Sequence, residues 1–246
     1  VHACQFPGLH ACVTPVPCLA SRVKERTFLT ALSIPIIPRA IEVDRFVNTP
    51  SRDEARYRLE LPQNGTIIGI IGRLDPKKGQ DVLVKALRRV HDADCKPHLL
   101  IVGAQTLHED SRFESSLRKL VADSGLSDFV HFRPHQEQAE LAFAAMNIFV
   151  LASESETYGL VTIEAFASGL PVLGTDAGGT IDLIDHERNG LRFPPGNDAA
   201  LAAALLKYLH DPAFAARLAA EARRDALNKF SHERECDAWE KLLHQL

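Results

Sequence analysis

The sequence predicts an α/β fold in which helices cover both faces of a doubly wound parallel sheet. Two observations predict it. Short apolar segments of strand length alternate with segments of helical period along most of the chain. The strand segments are also apolar without alternation, Ile67-Ile68-Gly69-Ile70-Ile71 most clearly, as expected of strands buried on both faces. With 246 residues, 46% of them hydrophobic, the chain can bury a sizeable core.

Each element has its own signal. Residues 15–30 suit a short helix leading to a strand at 34–37, which Pro35 interrupts and Pro38 closes. The polar stretch 48–65 carries Pro50 and Pro62 and reads as loop around a short helix near Arg52–Arg58. The apolar strand at 66–72 is followed by helical spacing in Val82, Leu83, Ala86, Leu87 and Val90. A strand at His98–Val102, a charged helix at 109–122, a strand at 129–132 and a helix at 136–145 continue the alternation. A strand at Ile148–Leu151, an apolar helix at Leu160–Ala167 and a strand at 171–173 come next. A Gly178-Gly179 turn opens another helix, and a short strand falls at Leu191–Phe193. Three helices end the chain, at 198–209, 212–230 and 232–243, broken at Asp211-Pro212 and at Ser231. Trp239 shares its helical face with Leu242 and Leu243 and is expected in the core.

Composition narrows the functional classes. A net charge of −4 and a pI near 6.3 provide no global attraction to nucleic acid or anionic lipid. No apolar run approaches the ~18 residues of a membrane span, and no signal-peptide pattern opens the chain. The chain begins at Val1 and its one methionine is Met146, so a fragment or processed product is expected. Five cysteines without framework spacing fit a reducing cytosol, and cytoplasmic residence is the expectation. Cys4, Cys12 and Cys18 fall near His2 and His10, but without the tight pairs of zinc sites, so no metal site is assigned.

The most informative segment is Ser153-Glu154-Ser155-Glu156-Thr157-Tyr158-Gly159-Leu160-Val161-Thr162-Ile163-Glu164. It joins a buried strand to an apolar helix. Glu164 has Leu160, Val161, Ala167 and Ser168 as helical neighbours, and a carboxylate on such a face requires hydrogen-bonding partners. A ligand rich in hydroxyls supplies them. The helix start adds unpaired N–H groups and a positive dipole end, suited to phosphate. Together these outline a nucleotide-sugar site. The loop Gly72-Arg73-Leu74-Asp75-Pro76-Lys77-Lys78-Gly79 offers Arg73 and Lys78 to a diphosphate, with a solvated basic turn as the plainer reading. It is neither a Walker loop nor a dinucleotide fingerprint. Glu156 and Glu164 also admit a reading as an acid–base pair, as in glycoside hydrolysis. Glu154 reads as a solvated loop residue. Thr175-Asp176-Ala177-Gly178-Gly179-Thr180 either lines the same cleft or makes a plain turn, and His131 and His135 flank a strand end near it without a catalytic assignment.

Taken in order, these residues resemble the C-terminal half of the family 4 glycosyltransferases of the GT-B fold, with its Rossmann-like donor domain. The match runs through Gly72-Arg73-Leu74, Lys78-Gly79, Leu100-Ile101-Val102-Gly103, Ser153 and Glu156, Tyr158-Gly159-Leu160 and Glu164-Ala165. It continues through Gly169-Leu170-Pro171-Val172, Gly178-Gly179, Asn189-Gly190-Leu191 and Pro195-Gly196-Asn197. The resemblance implies retaining transfer of a hexosyl group from a nucleotide-diphosphate sugar to the hydroxyl of a sugar, lipid or small-molecule acceptor, in glycan or glycoconjugate synthesis, without a metal cofactor. It casts Arg73 and Lys78 as the grip on the donor diphosphate and Glu156 as the clamp on the transferred sugar. Gly72, Tyr158, Gly159, Leu160 and Val161 fall to donor binding, and Glu164 to the ribose. Tyr158 stands where the family more often has Phe, and Asp182 where Glu is common.

The resemblance also implies two domains. Residues 1–40 are the expected remnant of an N-terminal acceptor-side domain. Residues 41–246 are the donor-binding domain, with the closing helices at 198–243. Peripheral contact with the inner membrane face would come through the N-terminal domain. The alternative is a nucleotide-sugar binding module without catalysis of its own.

Overall fold

The computed structural model describes residues 13–15, 17, 20–21, 35–104 and 112–244. Strands β1 (Ile67–Ile71), β2 (His98–Val102), β3 (Val130–Arg133), β4 (Ile148–Leu151), β5 (Val172–Thr175) and β6 (Leu191–Phe193) form one sheet. Every pairing is parallel and the order is β3-β2-β1-β4-β5-β6. The chain therefore builds outward from β1 in one direction, then returns to add β4 on its other side. That reversal opens a crevice between the carboxyl ends of β1 and β4, the place where such sheets bind ligands.

The helices are α1 (Val43–Val47), α2 (Arg52–Arg58), α3 (Gln80–Asp92), α4 (Arg112–Asp123), α5 (Ala139–Ala145), α6 (Leu160–Ala167), α7 (Thr180–Leu183), α8 (Asp198–His210), α9 (Pro212–Lys229) and α10 (His232–Leu243). Helices α1, α2, α5 and α6 cover one face of the sheet, and α3, α4 and α8 cover the other. Alternation within strands explains the unbroken apolar runs. Phe149 and Leu151 enter the first core, while Ile148 and Val150 enter the second. The doubly wound prediction holds on this ground.

Some expectations fail for a physical reason, and others fall outside the described residues. The strand at 34–37 reduces, within the described residues, to a single bridge of Ile36 to Thr14, because Pro35 and Pro38 remove ladder donors. The helix at 15–30, the start of the helix at 109, and Cys4, Cys12 and Cys18 with their histidines lie largely or wholly outside the described residues. Helix α1 was not expected, being too short to show a period, but it buries Val43 and Phe46. Trp239 is 41% exposed, against the expectation of a core position, and α10 buries none of its residues. Helical spacing reveals an apolar stripe without showing whether anything packs on it. His131 faces His98 at 3.1 Å toward the amino end of the sheet, away from the cleft, and burial pushes its pKa down to about 4.

One buried polar centre ties the C-terminal helices to the sheet. Asn189 donates to Asp225 Oδ2 at 2.9 Å and to the Leu183 carbonyl at 3.1 Å, and accepts from the Asp185 N–H. Arg188 and Lys229 pair with the same Asp225 carboxylate. Burial opposes the charge of Asp225, yet Lys229, Arg188 and Asn189 hold its carboxyl below the usual value. The stabilisation is therefore complete above the ordinary aspartate pKa of about 4 and lost as pH falls through the lower folded value. Asp225→Ala is expected to cost ~2–4 kcal/mol in urea unfolding at pH 7. Asp225→Asn should flatten the acid limb of the stability curve; an unchanged limb would refute the assignment.

Candidate functional site

The loops singled out in the sequence converge on the crevice at the carboxyl edge. Residues 72–79 follow β1, 153–159 follow β4 and 176–179 follow β5, three neighbouring strands. Lys78 lies at the end of a 3-10 turn, Pro76–Lys78, whose start is capped by Asp75 accepting from the Lys77 N–H at 2.9 Å. Gly79 closes the turn with φ 70°, and a Cβ there would stand 2.2 Å from the Ala152 carbonyl. The glycine is needed for packing of this turn against the end of β4. A Cβ at Gly72 would meet only Lys78 Cδ, at 4.0 Å, so the backbone there faces open space.

Across the crevice, Lys78 Nζ donates to Glu156 Oε2 at 2.7 Å, with side chains only 26% and 19% exposed. The two loops are also joined through their backbones, by the Glu154 N–H donating to the Lys77 carbonyl at 2.9 Å. Glu154 itself is exposed, as expected. Arg73 is 56% exposed and lies 3.5 Å from Asp75.

The paired glycines brace Glu156. The Gly179 N–H donates to the Glu156 carbonyl at 2.7 Å, and Gly178 bridges Glu156 in parallel register. A Cβ on Gly179 would fall 2.4 Å from the Thr157 carbonyl, and one on Gly178 would fall 2.3 Å from that of Glu156. The motif forms a turn at the crevice and sets the position of the Glu156 loop.

Helix α6 begins after Gly159, which supplies no capping side chain, so the N–H groups of Leu160 and Val161 remain at an uncapped, positive helix end. Glu164 lies one turn further on, half-buried. No hydrogen bond reaches its carboxylate oxygens among the described residues. Burial raises its pKa, Arg45 opposes that rise and Glu140 adds to it. Tyr158 is 7% exposed and donates its hydroxyl to the Arg39 carbonyl at 2.8 Å, and burial raises its pKa to about 12. Its side chain thus ties the site loop to the segment entering α1. Glu156 and Glu164 have different surroundings, one held by a lysine and the other poorly compensated.

Sequence reasoning missed two residues. Gln80, 1% exposed, donates from Nε2 to the Arg73 carbonyl at 2.6 Å and steadies the basic loop. Arg45 pairs with Glu140 at 2.9 Å and is the cation acting on Glu164. Neither carries a sequence signal, since Arg45 acts across elements distant in the chain and Gln80 depends on how the basic loop folds back over the start of α3. A cavity of about 590 Å³ lies at the opposite, amino edge of the sheet between Arg52, Tyr208 and Arg223, and shares no residue with these loops.

The profile of the family described as glycosyl transferases group 1 matches residues 51–225, which includes every loop above. The chain belongs to the group 1 glycosyltransferases. A D-inositol 3-phosphate glycosyltransferase from Streptomyces avermitilis is 34% identical over 213 residues, 84% of this chain and 44% of that protein. The chain thus spans less than half the length of that relative. Among solved structures, sucrose-phosphate synthase from Thermosynechococcus elongatus has a TM-score of 0.81 at 30% identity, over 95% of this chain and 57% of that one. HepE from Anabaena, solved in complex with UDP and glucose, has a TM-score of 0.83 at 23% identity, over 96% of this chain and 63% of that one, and speaks for the fold. The sheet of this glycosyltransferase domain is Rossmann-like, as in GT-B enzymes. Among the described residues no helix is long and apolar enough to cross a membrane.

Gly179→Ala in this domain forces its methyl group against a backbone carbonyl. It is expected to lower stability by ~1–3 kcal/mol in thermal or urea unfolding. An unchanged midpoint would refute the brace.

Proposed function

We propose that this chain is the donor-binding part of a retaining glycosyltransferase that moves a hexosyl group from a nucleoside-diphosphate sugar to an acceptor hydroxyl. The observation that carries this reading is the Lys78–Glu156 contact at the switch point of the sheet, beside an uncapped helix start. Membership of the family supports it. So does a fold neighbour solved with UDP and glucose.

The chemistry follows from the parts. As the glycosidic bond to the diphosphate breaks, negative charge grows on the leaving oxygens. Lys78, Arg73 and the N–H groups of Leu160 and Val161 are the groups to stabilise it. They supply the positive charge that a divalent cation supplies in other enzymes, so turnover should be unchanged by a chelator. Glu156 accepts from hydroxyls of the transferred sugar. Glu164, short of partners, accepts from the ribose hydroxyls. Gly72 and Tyr158 contribute their backbone positions to the donor site.

In this reading residues 41–246 form the donor domain, and residues 1–40 close an acceptor-side domain belonging to a longer chain. Acceptor choice among sugars, lipids and small molecules rests with that domain, as does any contact with the inner membrane face from a cytoplasmic position. Because the chain spans 44% of its S. avermitilis relative, a second reading is a binding unit that does not turn over alone. A transfer assay of this chain beside a longer one separates the two.

Glu164→Ala should weaken nucleoside-diphosphate binding by ~1–3 kcal/mol in calorimetry, and unchanged affinity would exclude the ribose role. Because burial raises the pKa of Glu164, wild-type affinity should fall with decreasing pH earlier than an ordinary glutamate would dictate. Glu164→Gln should remove that dependence. Lys78→Met should reduce kcat by about 10²-fold or more in the full enzyme, with the melting temperature little changed. Equal losses of stability and turnover would instead make Lys78 structural. Retention is checked by the anomeric configuration of the product in proton NMR.

A further inference from the structure

Lys78 already has a counter-ion. Its Nζ is 2.7 Å from Glu156 Oε2, in a pair whose side chains are mostly shielded from solvent. The other carboxylate oxygen, Oε1, accepts from the Thr157 N–H at 3.3 Å. Both ends stand on fixed backbone. Asp75 caps the Lys78 turn, Gly79 presses it on β4, and the Gly179 N–H holds the Glu156 carbonyl. Exchange of partners by this pair therefore needs side-chain motion alone.

A diphosphate that engages Lys78 must compete with that carboxylate. A nucleoside diphosphate without a sugar brings only negative charge beside Glu156 and offers it no donor in return. A nucleotide sugar brings hydroxyls, each able to donate to the displaced carboxylate. Resting on the donor-site reading above, we propose that Glu156 is an internal competitor for Lys78 that makes the site favour the intact nucleotide sugar over the spent nucleoside diphosphate. Once the sugar has left, Glu156 returns to Lys78 and speeds release of the diphosphate. The exchange is non-covalent: one ion pair re-forms as another separates.

The test is calorimetry on the full chain with UDP, GDP and ADP and the matching nucleotide sugars. Glu156→Gln keeps the shape of the side chain and removes its charge. It should bind the preferred diphosphate about fivefold more tightly, the equivalent of one partly shielded ion pair, and should lose most of the preference for the nucleotide sugar. In a Lys78→Met background the same change should bring no gain, since there is no cation to release. Glu154→Gln, an equal change of charge on the neighbouring exposed residue, should have little effect.

Unchanged or weaker diphosphate binding by Glu156→Gln would overturn the proposal. So would a gain that persists without Lys78, or an equal gain from Glu154→Gln, either of which would indicate a general field effect. Circular dichroism checks that each variant is folded. Glu156→Asp, too short to span the 2.7 Å contact, serves if the glutamine variant is not. If no nucleotide binds the wild-type chain, the donor-site reading itself fails; binding with an unaltered Glu156→Gln sinks the competitor alone.

Discussion

The site depends on the parallel pairing of β1 with β4, made through Ile68 opposite Ile148 and Gly69 opposite Phe149. These strands are separated by three helices and two other strands in the chain, yet they are neighbours in the sheet. Their pairing brings the basic loop after β1 against the acidic loop after β4. The fit beneath is tight: a Cβ on Gly69 would stand 2.1 Å from Met146 Sδ, so any side chain there would require the buried methionine to move. Asn147 reinforces the junction, its side-chain oxygen accepting from the Ile67 N–H at 2.8 Å and from Arg56 at 2.7 Å. Nothing at the crevice can be placed correctly unless these two strands are in register.

Above that frame, the electrostatics divide into two parts. Lys78 and Glu156 neutralise one another on backbone that is braced from three sides. Glu164 sits apart on α6, desolvated and with only partial compensation from Arg45. A carboxylate left in this condition is costly to a fold and useful to a ligand that brings hydroxyls. The two glutamates thus meet different surroundings and have different neighbours, one beside a lysine and one desolvated on a helix.

Much of the architecture was legible because burial on both faces leaves a plain mark on a strand. The bounds of β2, β4 and β6 follow from their apolar runs, and α2 and α10 from their breaks and caps. Legibility failed where the outcome depended on how segments pack on one another. Trp239 carries the same periodicity as a core residue, yet it is exposed on a helix that buries none of its residues. Gln80 looks like any first-turn polar residue, and only the fold shows it 1% exposed under the Arg73 carbonyl. The glycines at 178 and 179 were ambiguous because close approach of two backbones is a property of two segments, and only one of them is read at a time.

By itself, the sequence determined the class of fold, the family, and the loops that carry charge at the carboxyl edge. Local hydrophobic period and residue type are enough for the fold class and the loops, and the family follows from the resemblance that their motifs carry in order. The tertiary structure decided which charges meet: that Lys78 is held by Glu156, that Glu164 is left short of partners, and that Tyr158 is engaged elsewhere. Those outcomes depend on strand order and on the depth at which each side chain is buried, and neither is written in any single stretch of the chain.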